Sequence, residues 1–142
     1  MRIYIPLTSN MLVQPALPTA KSFSVTPVGE PLSGEEQELL NEEALYDAAF
    51  ASLELCQGSG EPACRIVAAA QVDGKVSPTL TWDQVDSIMA DSEKGRRLAA
   101  GVLRSDEQAE TDLLLEDLFE EPLSWFDVSE RQDLFDQIVD SE

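Results

Sequence analysis

The chemistry open to this chain is bounded first by what it lacks. No histidine occurs among its 142 residues, so it can assemble no Ser-His-Asp or Cys-His pair, no H-E-x-x-H zinc helix and no imidazole base near neutral pH. Cys56 and Cys64 are the only cysteines. One such pair, with no second pair to complete it, is not a zinc pattern, and two reduced, buried thiols are expected instead. Gly58-Ser59-Gly60 lacks the G-x-S-x-G frame of a nucleophile elbow. No G-x-G-x-x-G or Walker pattern occurs, and the acids between 106 and 121 lack the glycine and spacing of a calcium loop. Carboxylates paired for acid/base or magnesium chemistry are conceivable, yet among 28 acids close pairs arise by chance. No catalytic, cofactor-binding or metal-binding residue is therefore assigned, and no cofactor is expected.

Three groups of residues still call for a reading. Lys94, Arg96, Arg97 and Arg104 gather four of the nine basic residues in one segment. A phosphate site is one reading; because no Gly-rich cradle precedes them, an internal counterweight to the acidic C-terminal third is the expected one. Glu42 lies on an apolar helical face, where it is either a buried functional carboxylate or, as expected, an exposed first-turn acid with Asn41 as a second cap or bend. Trp82 and Trp125 are the only tryptophans. Core packing is the default for both, and an exposed one would mark an interface. The candidate interaction surface is Trp125 with the acids around it, Glu120, Glu121, Asp127 and Glu130.

Charge limits the partners. Nine basic residues against 28 acidic ones give a net charge of −19. Residues 106–142 hold 14 of the acids and a single base, Arg131, which is −13, leaving −6 for residues 1–105. Such a surface disfavours direct contact with nucleic acid or anionic lipid. The acidic third is either a solvated face or a dock for a basic partner. Met1-Arg2-Ile3-Tyr4-Ile5-Pro6 is too short an apolar run for a signal peptide, and no stretch approaches a membrane span, so a cytoplasmic location is expected.

The elements that must position these residues are legible in outline. Arg65-Ile66-Val67-Ala68-Ala69-Ala70-Gln71-Val72 is a short apolar run without alternation, entered and left through turn residues. It predicts a strand covered on both faces at the centre of a sheet, with Arg65 and Gln71 at its wet ends. Ile3-Tyr4-Ile5 predicts a first strand stopped by Pro6, and Thr8 or Ser9 a cap for a short helix over Asn10–Gln14. Ser22–Thr26 alternates as an edge strand does, and a Pro/Gly/Ser loop follows at 27–34. Ser33 and Glu36 form an S-x-x-E capping box, opening a helix with Leu39, Tyr46, Ala49, Phe50, Leu53 and Cys56 inward. A loop is expected over Asp73–Thr81, one turn at Trp82–Val85 and a strand at Ser87–Ala90. Ser92 caps a helix running to Arg104, followed by an acidic linker at 105–112. Thr111 then caps a helix with Leu114, Leu115, Leu118 and Phe119 on one side, and Leu123–Phe126 is a last strand. Ser129 and Gln132 form a second box before a helix with Leu134, Phe135 and Ile138 inward. The sum is a single α/β (or α+β) domain over 1–142, with a four- to five-stranded, mostly parallel or mixed sheet.

The ordered segments carry a resemblance. Met1–Pro6, Phe23-Ser24-Val25-Thr26-Pro27, Leu45-Tyr46-Asp47-Ala48-Ala49, Arg65-Ile66-Val67-Ala68-Ala69, Trp82-Asp83-Gln84-Val85 and Trp125-Phe126-Asp127-Val128-Ser129-Glu130 together resemble a small conserved family of uncharacterised actinobacterial proteins. The resemblance spans nearly the whole chain and implies a compact α/β domain of a Gram-positive cytoplasm, with no activity to carry over. Relatives often carry Tyr where Phe126 stands, and His near Met89.

The function these features predict is that of a non-catalytic, acidic interaction protein with an unknown, basic protein partner or a homo-oligomeric one. Two alternatives belong to other classes. One is a small carboxylate-based enzyme or nucleotide binder working at strand carboxyl ends; the other is an acidic nucleic-acid mimic that occupies a basic protein.

Overall fold

A computed structural model describes residues 2–24, 33–73 and 75–140. In chain order the strands and helices are β1 (Arg2–Leu7), β2 (Ala16–Pro18), β3 (Phe23–Ser24), α1 (Gly34–Ser59), β4 (Ile66–Gln71), β5 (Thr79–Thr81), β6 (Val85–Ala90), α2 (Glu93–Arg104), α3 (Gln108–Glu120), β7 (Ser124–Phe126) and α4 (Arg131–Asp140). They form a single α/β domain: a five-stranded sheet in the order β3-β1-β4-β6-β7, a two-stranded sheet of β2 and β5, and four α-helices.

The apolar run at 66–70 lies where its lack of alternation places it, in the middle strand, with every residue from Ile66 to Ala70 buried. Its two faces feed two cores. Ile66, Ala68 and Ala70 join Ile3, Ile5 and Leu7 of β1, with Leu12, Leu17, Leu80 and the α4 residues Leu134 and Ile138. Val67 and Ala69 meet Tyr4 and the α1 residues Ala44, Ala48 and Ala49 on the other side.

The direction of the strands differs from the expectation. Among the described residues every ladder is antiparallel, β1 with β3 and β4, β4 with β6, β6 with β7, and β2 with β5. Continuous apolar sequence reports that a strand is covered on both faces; it does not report which way the neighbouring strands run. Here the second cover is α4 with the loop elements before β3, and the chain reaches it without parallel crossovers.

Several local expectations shift for identifiable reasons. β1 runs through Pro6 to Leu7, because β3 pairs only with Ile3 and Tyr4 and leaves no ladder on that side for a proline to interrupt. A 3-10 turn at Ser9–Val13 replaces the short α-helix, with Thr8 at its N-cap but no side-chain cap bond. The expected 73–81 loop contains β5, paired to the previously unassigned Ala16–Pro18. Val25, Thr26, residues 27–32 and Gly74 lie outside the described residues.

In α1, Ser33 Oγ accepts from the Glu36 amide, which is the serine half of the expected box, and Gly60 closes the helix at φ +73°. Asn41 neither caps nor bends it; its Oδ1 accepts from Gln37 Nε2, and Glu42 is exposed as expected. The buried face carries the small residues Ala44, Ala48, Ala49 and Ser52 with Leu53 and Cys56, so the helix lies close on the sheet. Leu39 (66% exposed) and Phe50 (42%), both expected inward, are turned away from it. The expected 105–112 linker is mostly helix: α3 starts at Gln108, and Thr111, in place of capping it, donates to the Glu107 carbonyl inside its first turn. Before the last helix a 3-10 turn, Val128–Glu130, intervenes; its cap is Asp127, which forms a reciprocal box with Glu130, and Ser129 donates its amide and hydroxyl to Asp127 rather than capping α4.

Candidate functional site

The residues expected to form an interaction surface divide when placed in the fold. Trp125 is 63% exposed on β7, the last strand of the sheet order. Register sets it opposite Met89, which is opposite Val67, so Trp125 stands on the sheet face that α1 covers farther along. Asp127 and Glu130 are exposed but committed to their mutual box, and the two bonds from Ser129 hold the Asp127 carboxyl below the usual carboxylate range. Glu121 is half-buried: its carboxylate meets Lys94 at 3.5 Å and Ser92 at 3.4 Å, and its carbonyl accepts from Arg65. Glu120 is exposed at the end of α3. Three of the four acids thus have structural work, and Trp125 is the member that is turned outward with its ring uncovered. Trp82, by contrast, is a core residue; its indole donates to the Gln14 carbonyl at 2.6 Å, under the Arg131 guanidinium at 4.8 Å.

A second surface arises only in three dimensions. Leu53 of α1, Ala99 of α2 and Leu118 of α3 form a small core that clamps the three helices. Outside it Phe50 and Phe119 (52% exposed) meet with ring centroids 6.4 Å apart and planes at 44°. Two pockets open beside this contact and share Phe50 and Glu54. One, of about 400 Å³, is lined by Phe23, Tyr46, Phe50 and Phe119 together with Asp47 and Glu54. The other, of about 310 Å³, runs toward the α2–α3 turn over Leu53, Val102 and Leu115, with Asp106 at its rim. Among the described residues, no Lys or Arg lines either. Lys21 lines an adjoining hollow that also reaches Glu54.

The basic residues of α2 gather elsewhere. Arg96, Arg97 and Arg104 line a cleft of about 620 Å³ between α2, the 61–63 segment and Ile138, with Glu61 and Glu93 on the same walls. Arg97 meets Glu93 at 3.6 Å one turn away, Arg96 donates to the Asp91 carbonyl at 3.3 Å, and Lys94 pairs with Glu121. The expected counterweight role holds for Lys94, while three arginines share one hollow.

The most consequential charged pair went unread in the sequence. Arg65, expected at a wet strand end, is 1% exposed, and Asp91 is fully buried. The guanidinium donates to Asp91 through its Nη2 at 2.7 Å and its Nε at 3.1 Å, and the Arg65 backbone amide donates to Oδ2 at 2.8 Å. A fourth donor contact, Nη2 to the Glu121 carbonyl at 3.0 Å, ties in the end of α3. Four elements meet at this pair: β4, β6, the start of α2 and the end of α3. Gly95 lets them close, since a Cβ there would lie 2.5 Å from Asp91 Oδ1. The one available signal was Asp91-Ser92 directly before a helix, which reads equally well as an exposed cap.

Cys56 and Cys64 are free and buried, as expected. Burial raises both thiols above their ordinary range, with the Asp91 charge adding to the effect at Cys64. Among the described residues no three Cys, Asp or Glu side chains are grouped as metal ligands, and no helix is long and apolar enough to cross a membrane.

Comparison with known proteins adds one match. The model of a family of unknown function (DUF6912) matches residues 1–135. No curated protein and no solved structure matches the chain.

Proposed function

The chain belongs to that family of unknown function, and because membership assigns no activity we propose, from its geometry, a non-catalytic interaction protein whose groove between α1 and α3 receives a basic segment of a protein partner. The observation that carries this reading is the pair of adjoining pockets that share Phe50 and Glu54 as a wall, with exposed rings, Asp47, Glu54 and Asp106 and no cation among the described lining residues. Apolar area of this kind supplies affinity, and the carboxylates select the sign of the partner. A second copy is disfavoured as occupant, because each copy has a net charge of −19 and would bring like charges to the same surface. Trp125 adds an uncovered anchor at the sheet edge. A cytoplasmic, actinobacterial setting belongs to the same proposal and rests on the segment resemblance.

The test is capture from lysate at low salt, comparing the native chain with a Phe50→Ala, Phe119→Ala double variant. A basic protein retained by the native chain, released by moderate salt and lost from the double variant is expected. Retention by both chains, or a partner without basic character, contradicts the reading.

The arginine cleft favours a second reading, a binder of anionic small molecules such as nucleotides. Titration with ATP or inorganic phosphate checks it: saturable binding that Arg96→Gln and Arg104→Gln weaken would support it, and no binding at millimolar ligand would remove it.

A further inference from the structure

We propose that the pocket at Phe23, Tyr46, Phe50 and Phe119 is the receptor for an arginine side chain of the protein partner, an inference that rests on the groove reading above. The chain holds five Phe, two Trp and two Tyr, nine aromatic residues in all, and four of the nine line this one pocket. They come from β3, α1 and α3, so the convergence is a product of the fold and not of a local aromatic run. Tyr46, Phe50 and Glu54 follow at four-residue intervals along α1, and Asp47 and Ala51 form the adjacent stripe; rings and carboxylates therefore share one helix surface.

The chemistry of such a pocket is cation recognition. Aromatic faces are negative and attract a cation within about 6 Å of the ring centroid. The chain already makes this contact twice with its own arginines, Arg131 over Trp82 at 4.8 Å and Arg2 over Tyr4 at 5.7 Å. Over the four pocket rings, no cation of the chain lies in such a position among the described residues. Phe50 and Phe119 are tilted at 44° and not stacked flat, and both are substantially exposed, so their faces are not consumed by one another.

Arginine fits better than lysine. A planar guanidinium stacks flat on a ring while its edge presents a fixed fork of donors to Asp47 and Glu54, whereas an ammonium has no flat face to stack and no preset fork. The source is a polypeptide because a second pocket, of about 310 Å³, adjoins this one of about 400 Å³ across their shared wall of Phe50 and Glu54. An occupant that fills both is longer than one side chain, and the second pocket, floored by Leu53, Val102 and Leu115, takes an apolar neighbour of the arginine.

The competing account is that Phe50 and Phe119 simply pack α1 against α3. Replacing both by leucine keeps apolar volume and removes the rings, which separates the two. The experiment titrates the full chain, 15N-labelled, with an acetylated Gly-Arg-Gly-Leu-Arg-Gly amide peptide and with its Lys counterpart, at low salt. Saturable amide shifts are expected along Tyr46–Glu54 and at Phe119, with the Arg peptide bound more tightly than the Lys peptide. The Phe50→Leu, Phe119→Leu variant should weaken the Arg peptide about tenfold, the scale of a cation–π contact, with its melting transition intact. An Asp47→Asn, Glu54→Gln variant should weaken both peptides. Binding that is equal for Arg and Lys and unchanged by the leucine variant overturns the arginine receptor while leaving an acidic docking surface standing. Absence of shifts with either peptide overturns the receptor and the groove reading together.

Discussion

Asp91→Ala should show how much of the fold is held at the buried ion pair. The substitution leaves the Arg65 guanidinium, 1% exposed, with the Glu121 carbonyl, and removes the acceptor of the Arg65 backbone amide. Breaking a buried pair from one side costs about 3–5 kcal/mol, because the surviving charge is neither hydrated nor paired. An orphaned buried amide adds about 1–3 kcal/mol. Against the roughly 5–15 kcal/mol of a domain this size, a loss of about 4 kcal/mol or more takes most of the stability. Urea unfolding followed by tryptophan fluorescence and far-UV circular dichroism would measure it. Arg65→Met alone should be similarly severe, since it strands the Asp91 carboxylate, fully buried. The Arg65→Met, Asp91→Leu pair should recover about 2 kcal/mol relative to either single change, because no charge is left buried. A loss below about 1 kcal/mol for Asp91→Ala would refute the reasoning, and would mean that water reaches the pair.

Other expectations follow from single positions. Gly95→Ala and Gly101→Ala should have opposite signs: a Cβ at Gly95 collides with the anchored Asp91 carboxylate at 2.5 Å, whereas at Gly101 it makes ordinary contact with Leu114 at 3.6 Å. Helix propensity alone favours alanine by about 1 kcal/mol, so thermal melting should show a gain at Gly101 and a loss at Gly95. Val67→Asp places a carboxylate in the core between β4 and α1 with neither water nor cation, and should yield unfolded or insoluble protein; a soluble, cooperatively melting variant would contradict the central placement of β4. Burial raises both cysteine thiols in the folded chain, so the unfolded chain ionises first. The stability they contribute is complete below the ordinary thiol range and declines as pH rises beyond about 8.5. Denaturant midpoints from pH 7 to 10 should fall, and fall less steeply in Cys64→Ala.

The sequence conveys burial better than direction or charge placement. Val67 is predictable as a core residue of a strand covered on both faces because five apolar residues in a row leave no polar side for water. Nothing in that run specifies antiparallel neighbours, which depend on where the chain turns at Leu7, Gln71 and Ala90. Arg65 reads as a strand end because an arginine is rarely buried; its partner is 26 residues away and identifiable only once β4 and β6 are aligned. Phe50 falls on the wrong face because α1 packs through alanines and Ser52, not through its largest side chains. Of the candidate site, Trp125 was legible as an aromatic amid acids. The groove was not, because its lining comes from positions 23, 46–57 and 102–119 and exists only after three helices and β3 are assembled.

If a basic partner sits on the face between α1 and α3, hydrogen–deuterium exchange of the chain, alone and with its captured partner, will register it there. Slowed exchange is expected over Tyr46–Gln57 and Leu115–Phe119, reduced in the Phe50→Leu, Phe119→Leu variant. Protection confined to the arginine cleft of α2, or to β7 around Trp125, with the α1–α3 face unchanged, would contradict that placement.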